Sequence, residues 1–219
     1  MLFRSRCSER LAGSEAYLPL LESLETLLRA GDQALVRLMS EVAPTWYVQI
    51  APLTEDRSAD RLRAEIRMAS QERLKRELLA FMKELTHRQP VVLFLDDLHW
   101  ADASSIDVLS YVVSRCGSER ILIVGTYRPS ELRETNPALM RAKLELQAHG
   151  LCHESLMQFL TPAEVECYLA LQFPRHLFPT ELAARIHART EGNPLFMADL
   201  VRFLRDRGLF KHRDGCWVL

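Results

Sequence analysis

Apolar side chains in the first ninety residues recur every three or four positions, the spacing that gathers them on one face of a helix. Residues 1–7 precede this region and suit a short strand. A later stretch rich in Arg and Glu carries one apolar stripe, so its remaining surface is expected to be solvated. The pattern predicts helices over 18–30, 34–42 and 60–86, the second ending at Pro44, with irregular chain over 46–60.

Two short apolar runs follow a different pattern. Val91 to Leu95 and Ile121 to Val124 are continuous and rich in β-branched residues, which is typical of strands buried on both faces of a parallel sheet. Between them, Ser104 and Asp107 match a capping box at the start of a helix. Strand, helix and strand at this spacing predict a βαβ crossover, and therefore an α/β fold.

The last third of the chain is predicted to be helical. Thr161-Pro162-Ala163-Glu164 combines an N-cap, a proline at the first helical position and a glutamate at the third. The expected elements are helices over 162–172, 180–190 and 195–207 and a hairpin that turns at Asp214-Gly215. These patterns divide the chain into an α/β core over 1–158 and a helical lid over 159–219.

Charge and composition exclude several classes of protein. The net charge is -1, which gives no general attraction to nucleic acid. The longest apolar runs fall far short of the roughly 18 residues that a membrane span needs. The start of the chain lacks the features of a signal peptide. Five scattered cysteines, an odd number, favour reduced thiols and a cytoplasmic location.

The strongest chemical signal is the acidic pair that ends the first apolar run, Asp96-Asp97. In open α/β sheets, ligands bind at the carboxyl ends of the strands. Adjacent carboxylates repel, so such a pair favours a cation or a shared proton. One carboxylate could hold Mg²⁺ while the other positions or deprotonates a water. A solvated turn with an aspartate N-cap is an equally good interpretation of these residues alone.

Two further segments carry weaker signals. Thr126-Tyr127-Arg128 follows the second strand, where an arginine could contact a phosphate, although taken alone it is more simply a surface side chain. In Glu191-Gly192-Asn193-Pro194, glycine ends one helix and proline starts the next. Without other context, that segment is a joint between two helices.

Together the segments resemble a known family. The run VVLFLDDLHWAD resembles a Walker B strand, ILIVGTYRP a sensor-1 strand, and TEGNPLF the Gly-x-Pro turn of a helical lid. In this order they are similar to the AAA+-related signal-transduction ATPases with numerous domains (STAND type). Such modules occur in large bacterial transcriptional regulators and beside soluble adenylyl cyclase domains.

The resemblance implies a three-layer core like that of the P-loop NTPases, with ATP and Mg²⁺ as cofactors. By position in the motifs, Asp96 would hold Mg²⁺ through water and Asp97 would polarise the attacking water. Arg128 would sense the γ-phosphate, and Pro194 would pack near the adenine. The implied partners are ATP, the other domains of a larger regulator and, as one option, a second copy of the chain. No contact with nucleic acid or membrane is expected.

The chain departs from the family at the phosphate loop. Its eight glycines and four lysines form no G-x-x-x-x-G-K-[ST] motif. The family's strand order is five, one, four, three, two, so a missing first strand would leave a gap beside the strand that ends at Thr126. Either a strand near 153–158 closes this gap, or the sheet keeps an open edge. We expect an internal piece of a larger regulator or a degenerate copy, inactive by itself.

Three functions follow from these residues. The first is a partial ATPase module that acts as a nucleotide-dependent switch in the intact protein. The second is a non-enzymatic interaction module that retains the fold. The third, less supported, is an Mg²⁺-dependent phosphotransfer domain in which Asp96 or Asp97 accepts the phosphoryl group.

Overall fold

A computed structural model of the protein describes residues 1–8, 16–29, 32–50 and 70–219, with the backbone alone at 133–135. The chain divides into two compact units, Met1–His153 and Glu154–Leu219. The first unit contains a parallel sheet with helices, and the second contains helices and a hairpin. Among the helices described, none has the length and apolar character needed to cross a membrane.

The first unit alternates helices and strands. Its elements in chain order are β1 (Leu2–Arg6), α1 (Leu18–Arg29), α2 (Gln33–Val42), α3 (Pro44–Ile50), α4 (Gln71–Arg88), β2 (Val91–Asp96), a 3-10 turn (Leu98–Trp100), α5 (Ala103–Arg115), β3 (Ile121–Gly125), α6 (Pro129–Thr135) and α7 (Pro137–Ala148).

The sheet has the order β1-β2-β3, and both pairings are parallel. In its register Leu2 stands beside Val92, and Val92 stands beside Leu122. The predicted strands near residues 1–7, 91–95 and 121–124 are all present, and β2, α5 and β3 form the predicted βαβ crossover. Because β2 is the central strand, both of its edges are hydrogen-bonded.

The core of the first unit lies on one face of the sheet. Alternate residues such as Phe3, Leu93 and Leu95 are buried against the helices. On the opposite face, Leu2 is 67% and Leu122 57% exposed, and neither belongs to an apolar cluster of the described residues. The prediction that β3 is buried on both faces is therefore wrong. In the described part of the chain, helices cover one face, which gives two of the three expected layers.

The edge of the sheet beyond β3 is open within the described residues. No strand occurs over 151–161, so a strand near 153–158 is not formed. Of the two predicted outcomes, the open edge is the one that the structure shows. The strand β3, which is followed by Thr126, is thus an edge strand of the described sheet.

Helix α3 occupies a segment predicted to be irregular. Pro44 ends one helix as predicted, but it also begins the next. Trp46 explains this helix, because its fully buried indole donates a hydrogen bond from Nε1 to the Leu74 carbonyl at 2.9 Å and packs edge-on against Tyr17. These partners lie far along the chain, beyond the reach of a local pattern. Residues 51–60 lie outside the described part.

Two helix starts differ from their predictions. Helix α4 begins at Gln71 after the N-cap Ser70, and the predicted portion over 60–69 lies outside the described residues. Helix α5 is capped by Asp102, whose carboxylate accepts from the Ser105 N–H at 2.8 Å. The capping box predicted from Ser104 and Asp107 is wrong. The Asp107 carboxylate instead pairs with Lys75 of α4, at 2.8 Å.

The second unit forms as its local patterns predict. It contains α8 (Pro162–Gln172), α9 (Glu181–Thr190), α10 (Pro194–Asp206), β4 (Lys211–Arg213) and β5 (Cys216–Val218). Thr161 and Glu164 make both hydrogen bonds of the capping box. The hairpin turns at Asp214-Gly215, where both residues have positive φ. Phe173 is buried at the centre of an aromatic cluster that includes Phe210 and Trp217.

Gly192, between α9 and α10, is fixed by both backbone conformation and space. Its φ is 73°, in the left-handed region that disfavours side chains. A Cβ atom there would lie 2.2 Å from the Leu160 carbonyl oxygen, while the Gly192 carbonyl accepts the Leu160 N–H at 2.8 Å. Gly208 has a similar φ of 69°, but a Cβ there would meet open space.

We expect Gly208→Ala to destabilise the second unit by about 1–2 kcal/mol, the cost of a left-handed residue. Gly192→Ala should cost at least about 1 kcal/mol more, because the Leu160 backbone must move. Native-state hydrogen exchange of the α10 amides measures both variants. Equal losses of protection would show that the close approach of Leu160 is unimportant.

Candidate functional site

The carboxyl ends of the three parallel strands bring the candidate residues of the first unit together. Arg6 ends β1, Asp96 ends β2 and is followed by Asp97, and Thr126 follows β3. Since ligands of open α/β folds bind at this edge, the sheet itself places these side chains where a ligand would lie.

The Thr126 hydroxyl links the acidic pair to β3. Its Oγ1 donates a hydrogen bond to Asp96 Oδ1 at 2.5 Å and accepts the Asp97 N–H at 3.0 Å. The backbone of the same threonine donates to the Leu95 carbonyl at 3.0 Å and accepts the Leu98 N–H at 2.7 Å. The loop after β2 is therefore fastened to β3 on both sides of the acidic pair.

Asp97 has the left-handed conformation, with φ 55° and ψ 43°. Aspartate adopts this region more readily than most residues, and the turn ends the strand directly after Asp96. The two carboxylates therefore follow different paths from the strand end. Asp96 points to Thr126, whereas Asp97 reaches an arginine of β1.

Arginines of β1 neutralise the acidic pair. The Arg6 guanidinium contacts Asp97 Oδ2 through Nε at 3.1 Å and Nη2 at 3.0 Å. Arg4 Nη2 lies 3.7 Å from Asp96 Oδ2. The sequence left a cation or a shared proton open for the adjacent carboxylates, and in the structure guanidinium groups of β1 lie beside both of them.

Arg128 lies at the start of α6, beyond the end of β3. Its Nη1 donates a hydrogen bond to Glu131 Oε1 at 2.9 Å. This hydrogen bond, together with the negative charges of Glu131 and Asp97, raises the pKa of Arg128. The guanidinium is exposed and remains cationic at every pH at which the protein is folded.

A cleft of about 540 Å³ connects these groups. Its size suits a small ligand. The cleft is lined by Arg6, Cys7, Ser8, Asp97, Trp100, Arg128 and Glu131. Two arginines and two carboxylates thus face one cavity, and each arginine is paired with one of the carboxylates.

The donor set of the cleft fits Mg²⁺ only in the company of phosphate. No group of three His, Cys, Asp or Glu side chains suited to a metal occurs among the residues that the structure describes. Mg²⁺ commonly keeps several waters and takes one or two carboxylates plus the phosphates of a substrate. Asp96 is not one of the residues that line the cleft, but it directly precedes Asp97, which does line it, and it could supply such a carboxylate. For ATP, the arginines suit a terminal phosphate, and no phosphate-loop motif is present in the sequence.

Pro194, the fourth predicted site residue, belongs to the second unit. It is the first residue of α10, and Asn193 caps this helix by accepting the N–H groups of Leu195 and Phe196. The turn has the geometry of a well-formed joint between two helices. Its predicted role near adenine stays a prediction.

Three residues of the site were missed from the sequence or seen only in part. Thr126 was noted as polar, but its link to the acidic pair depends on the pairing of β2 with β3. Arg6 and Glu131 carried no motif. The alternation of buried and exposed residues in β1 could have placed Arg6 on the face of Arg4, away from the helices.

The fold is that of an α/β protein with a parallel sheet, a class whose ligands bind at the carboxyl ends of the strands. The model of the AAA ATPase domain family matches residues 2–124, more than half of the chain, and the chain belongs to this family. A domain of unknown function matches residues 175–216, inside the second unit. Neither the curated proteins nor the solved structures gave a match. The predicted AAA-type ATPase module is thereby confirmed at the level of the family.

Thr126→Val is expected to destabilise the first unit by about 1–3 kcal/mol, because Asp96 loses a donor and the Asp97 N–H loses its acceptor. Thr126→Ser keeps the hydroxyl and should retain most of the stability. Hydrogen exchange of the β2 and β3 amides measures the loss. If the valine variant is as stable as the serine variant, the hydroxyl does not hold the strand ends together.

Cys7 should be unreactive although it lines the cleft. Burial, followed by the charges of Asp102, Glu22 and the acidic pair, raises its pKa to about 12. The thiol therefore stays protonated at pH 8, and thiols react as thiolates. We expect iodoacetamide to label the exposed Cys167 much faster than Cys7, as read by peptide mass spectrometry. Equal labelling would contradict this environment.

Proposed function

We propose that the chain forms the acidic-pair and sensor part of an ATP-dependent switch, of the signal-transduction ATPase type, in a signalling or transcriptional regulator. The observation that carries the proposal is the Thr126 hydroxyl, which joins the Asp96 carboxylate to the Asp97 backbone. A solvated turn needs no such link. A site that must hold the Asp96 carboxylate and the Asp97 backbone at fixed positions does.

Each residue has a role in the proposed switch. Asp96 holds Mg²⁺ through water, and the ion supplies positive charge to the phosphates of the nucleotide. Asp97 orients the attacking water once its carboxylate is released from Arg6. Arg128 contacts the terminal phosphate, and Pro194 packs near the adenine in the intact protein. ATP, Mg²⁺ and the other domains of the regulator are the proposed partners, in the cytoplasm.

The chain by itself is proposed to be inactive. Phosphoryl transfer depends almost wholly on positioning and on stabilisation of charge. The sequence supplies no glycine-rich loop and lysine to cradle the β- and γ-phosphates. Within the described residues, the edge of β3 next to the acidic pair is open and one sheet face is uncovered, which leaves room for one more strand and helix to complete the site.

Titration of the chain with Mg-ATP, followed by calorimetry, tests the proposal. We expect a dissociation constant above about 0.1 mM, because the chain binds only the terminal phosphate. Asp96→Asn should abolish the dependence on Mg²⁺, and Arg128→Ala should weaken binding further. Phosphate release should stay at background for every variant.

Asp214→Asn in the hairpin of the second unit serves as the control, since it removes the same charge far along the chain from the motif. Binding that is indifferent to Asp96→Asn and Arg128→Ala would overturn the assignment of the site. A micromolar dissociation constant for Mg-ATP would overturn the proposal that the chain is inactive by itself. Hydrolysis of ATP by the unmodified chain that is lost in Asp96→Asn would overturn it as well.

A non-enzymatic interaction module is the second candidate. In the part of the chain that the structure describes, one apolar face of the sheet is uncovered, which favours this candidate because parallel sheets are normally covered on both faces. On this alternative, Leu122→Lys lowers the self-association of the chain in sedimentation velocity, whereas Asp96→Asn leaves it unchanged.

A further inference from the structure

The partner of Arg128 is fixed more firmly than a surface carboxylate would be. Exposed ion pairs are weak because both side chains move freely. The Glu131 side chain, however, is only 30% exposed, and its two oxygens have different neighbours. Oε1 accepts from Arg128 Nη1 at 2.9 Å, and Oε2 lies 3.0 Å from Nε2 of His99.

The His99 side chain is completely buried. Neither of its ring nitrogens forms a hydrogen bond with any described residue, so the contact with Glu131 is a close approach rather than an aligned hydrogen bond. The backbone around the ring is held by Asn136, whose Nδ2 donates to the carbonyls of His99 and Ala101 at 3.3 and 2.8 Å. The buried His99 ring is therefore held in place against Glu131, and this contact keeps the Glu131 carboxylate at the cleft.

This geometry gives Glu131 a part in ligand binding. Arg128 can contact a phosphate in the cleft only if its guanidinium turns away from Glu131 or shares its donors with it. The carboxylate also repels an incoming polyphosphate, since it lines the same cavity. Both effects oppose binding of the ligand that Arg128 attracts.

We propose that Glu131 sets the affinity of the site for the nucleotide. Its carboxylate pairs with Arg128 and therefore competes with the terminal phosphate of the nucleotide for the guanidinium. His99 is a positioning residue that acts through Glu131. The inference rests on the proposed function, because it takes Arg128 as a phosphate contact. It adds a competitor inside the cleft that raises the nucleotide concentration at which the site fills.

The test uses inorganic tripolyphosphate with Mg²⁺, titrated into the full chain at low ionic strength by calorimetry. Glu131→Gln keeps the size of the side chain and removes its charge. We expect this variant to bind tripolyphosphate roughly two- to fivefold more tightly than the unmodified chain, the size of effect expected for loss of one ion pair whose arginine is exposed. The gain should vanish in the double variant Glu131→Gln/Arg128→Ala.

A matched control is present in the second unit. Asp199 pairs with Arg202 three residues away, as Glu131 pairs with Arg128, but it lies outside the cleft. Asp199→Asn changes the net charge equally and should leave the affinity unchanged. His99→Leu should give part of the gain in affinity of Glu131→Gln, because Glu131 loses the imidazole contact that holds it in place. The thermal midpoint of each variant reports whether the variant is folded.

The outcomes separate the two proposals. If Arg128→Ala weakens binding and Glu131→Gln has no effect, the competition is overturned and the phosphate site stands. A gain that persists without Arg128, or that Asp199→Asn reproduces, also overturns the competition, because it is then a general effect of charge. If Asp96→Asn and Arg128→Ala leave the affinity unchanged, or no variant binds, the proposed function itself fails.

Discussion

The central strand β2 sets the position of every group at the site. Its two parallel pairings bring Arg6 beside Asp96 on one edge and Gly125 beside Leu95 on the other. Gly125 lets Leu98 come close, since a Cβ at this glycine would lie 2.8 Å from Leu98 Cδ2. The loop that carries Asp97 is thus pressed onto β3, where Thr126 binds it. A shift of either neighbouring strand would separate the acidic pair from its hydroxyl and from its arginines.

The electrostatics of the cleft follow from this arrangement. Two arginines and two carboxylates line one cavity, and they form the ion pairs Arg6–Asp97 and Arg128–Glu131. A cavity of this kind is nearly neutral, so it attracts a polyphosphate only at short range, after a pair has opened. Activation of the site, in the proposed switch, is an exchange of partners among charges already present.

Local signals predicted much of the fold. The capping box at Thr161 and the turn at Asp214-Gly215 depend on neighbours in sequence, and both formed as predicted. The apolar run of β2 also formed a strand as predicted, with its acidic pair at the carboxyl end. The local pattern at the start of α5 was misleading. Asp102, rather than Ser104, caps α5 while Asp107 pairs with Lys75 of another helix.

The burial of the sheet faces and the pairing of residues far apart in sequence could not be predicted from the sequence. An apolar strand has the same composition whether one face or both are covered, so the exposed Leu122 could not be foreseen. Helix α3 is stabilised by contacts of Trp46 with Tyr17 and Leu74, and these residues are too far apart in sequence for a local pattern to include them. The contacts of Arg6 and Glu131 are of the same kind. Each depends on which strand ends become neighbours, and a single sequence does not contain this information.

The separation of β1 from β2 along the chain has a consequence for folding. Leu2 pairs with Val92, whereas β2 reaches β3 through the one short helix α5. Contacts that close long loops form late, so the β2–α5–β3 unit is expected to assemble before β1 joins it. Until then Asp96 and Asp97 lack Arg4 and Arg6, and their mutual repulsion is unrelieved. We therefore expect the docking of β1 to bring its arginines to the acidic pair late in folding, which links the pairing of β1 with β2 to the charge balance of the site.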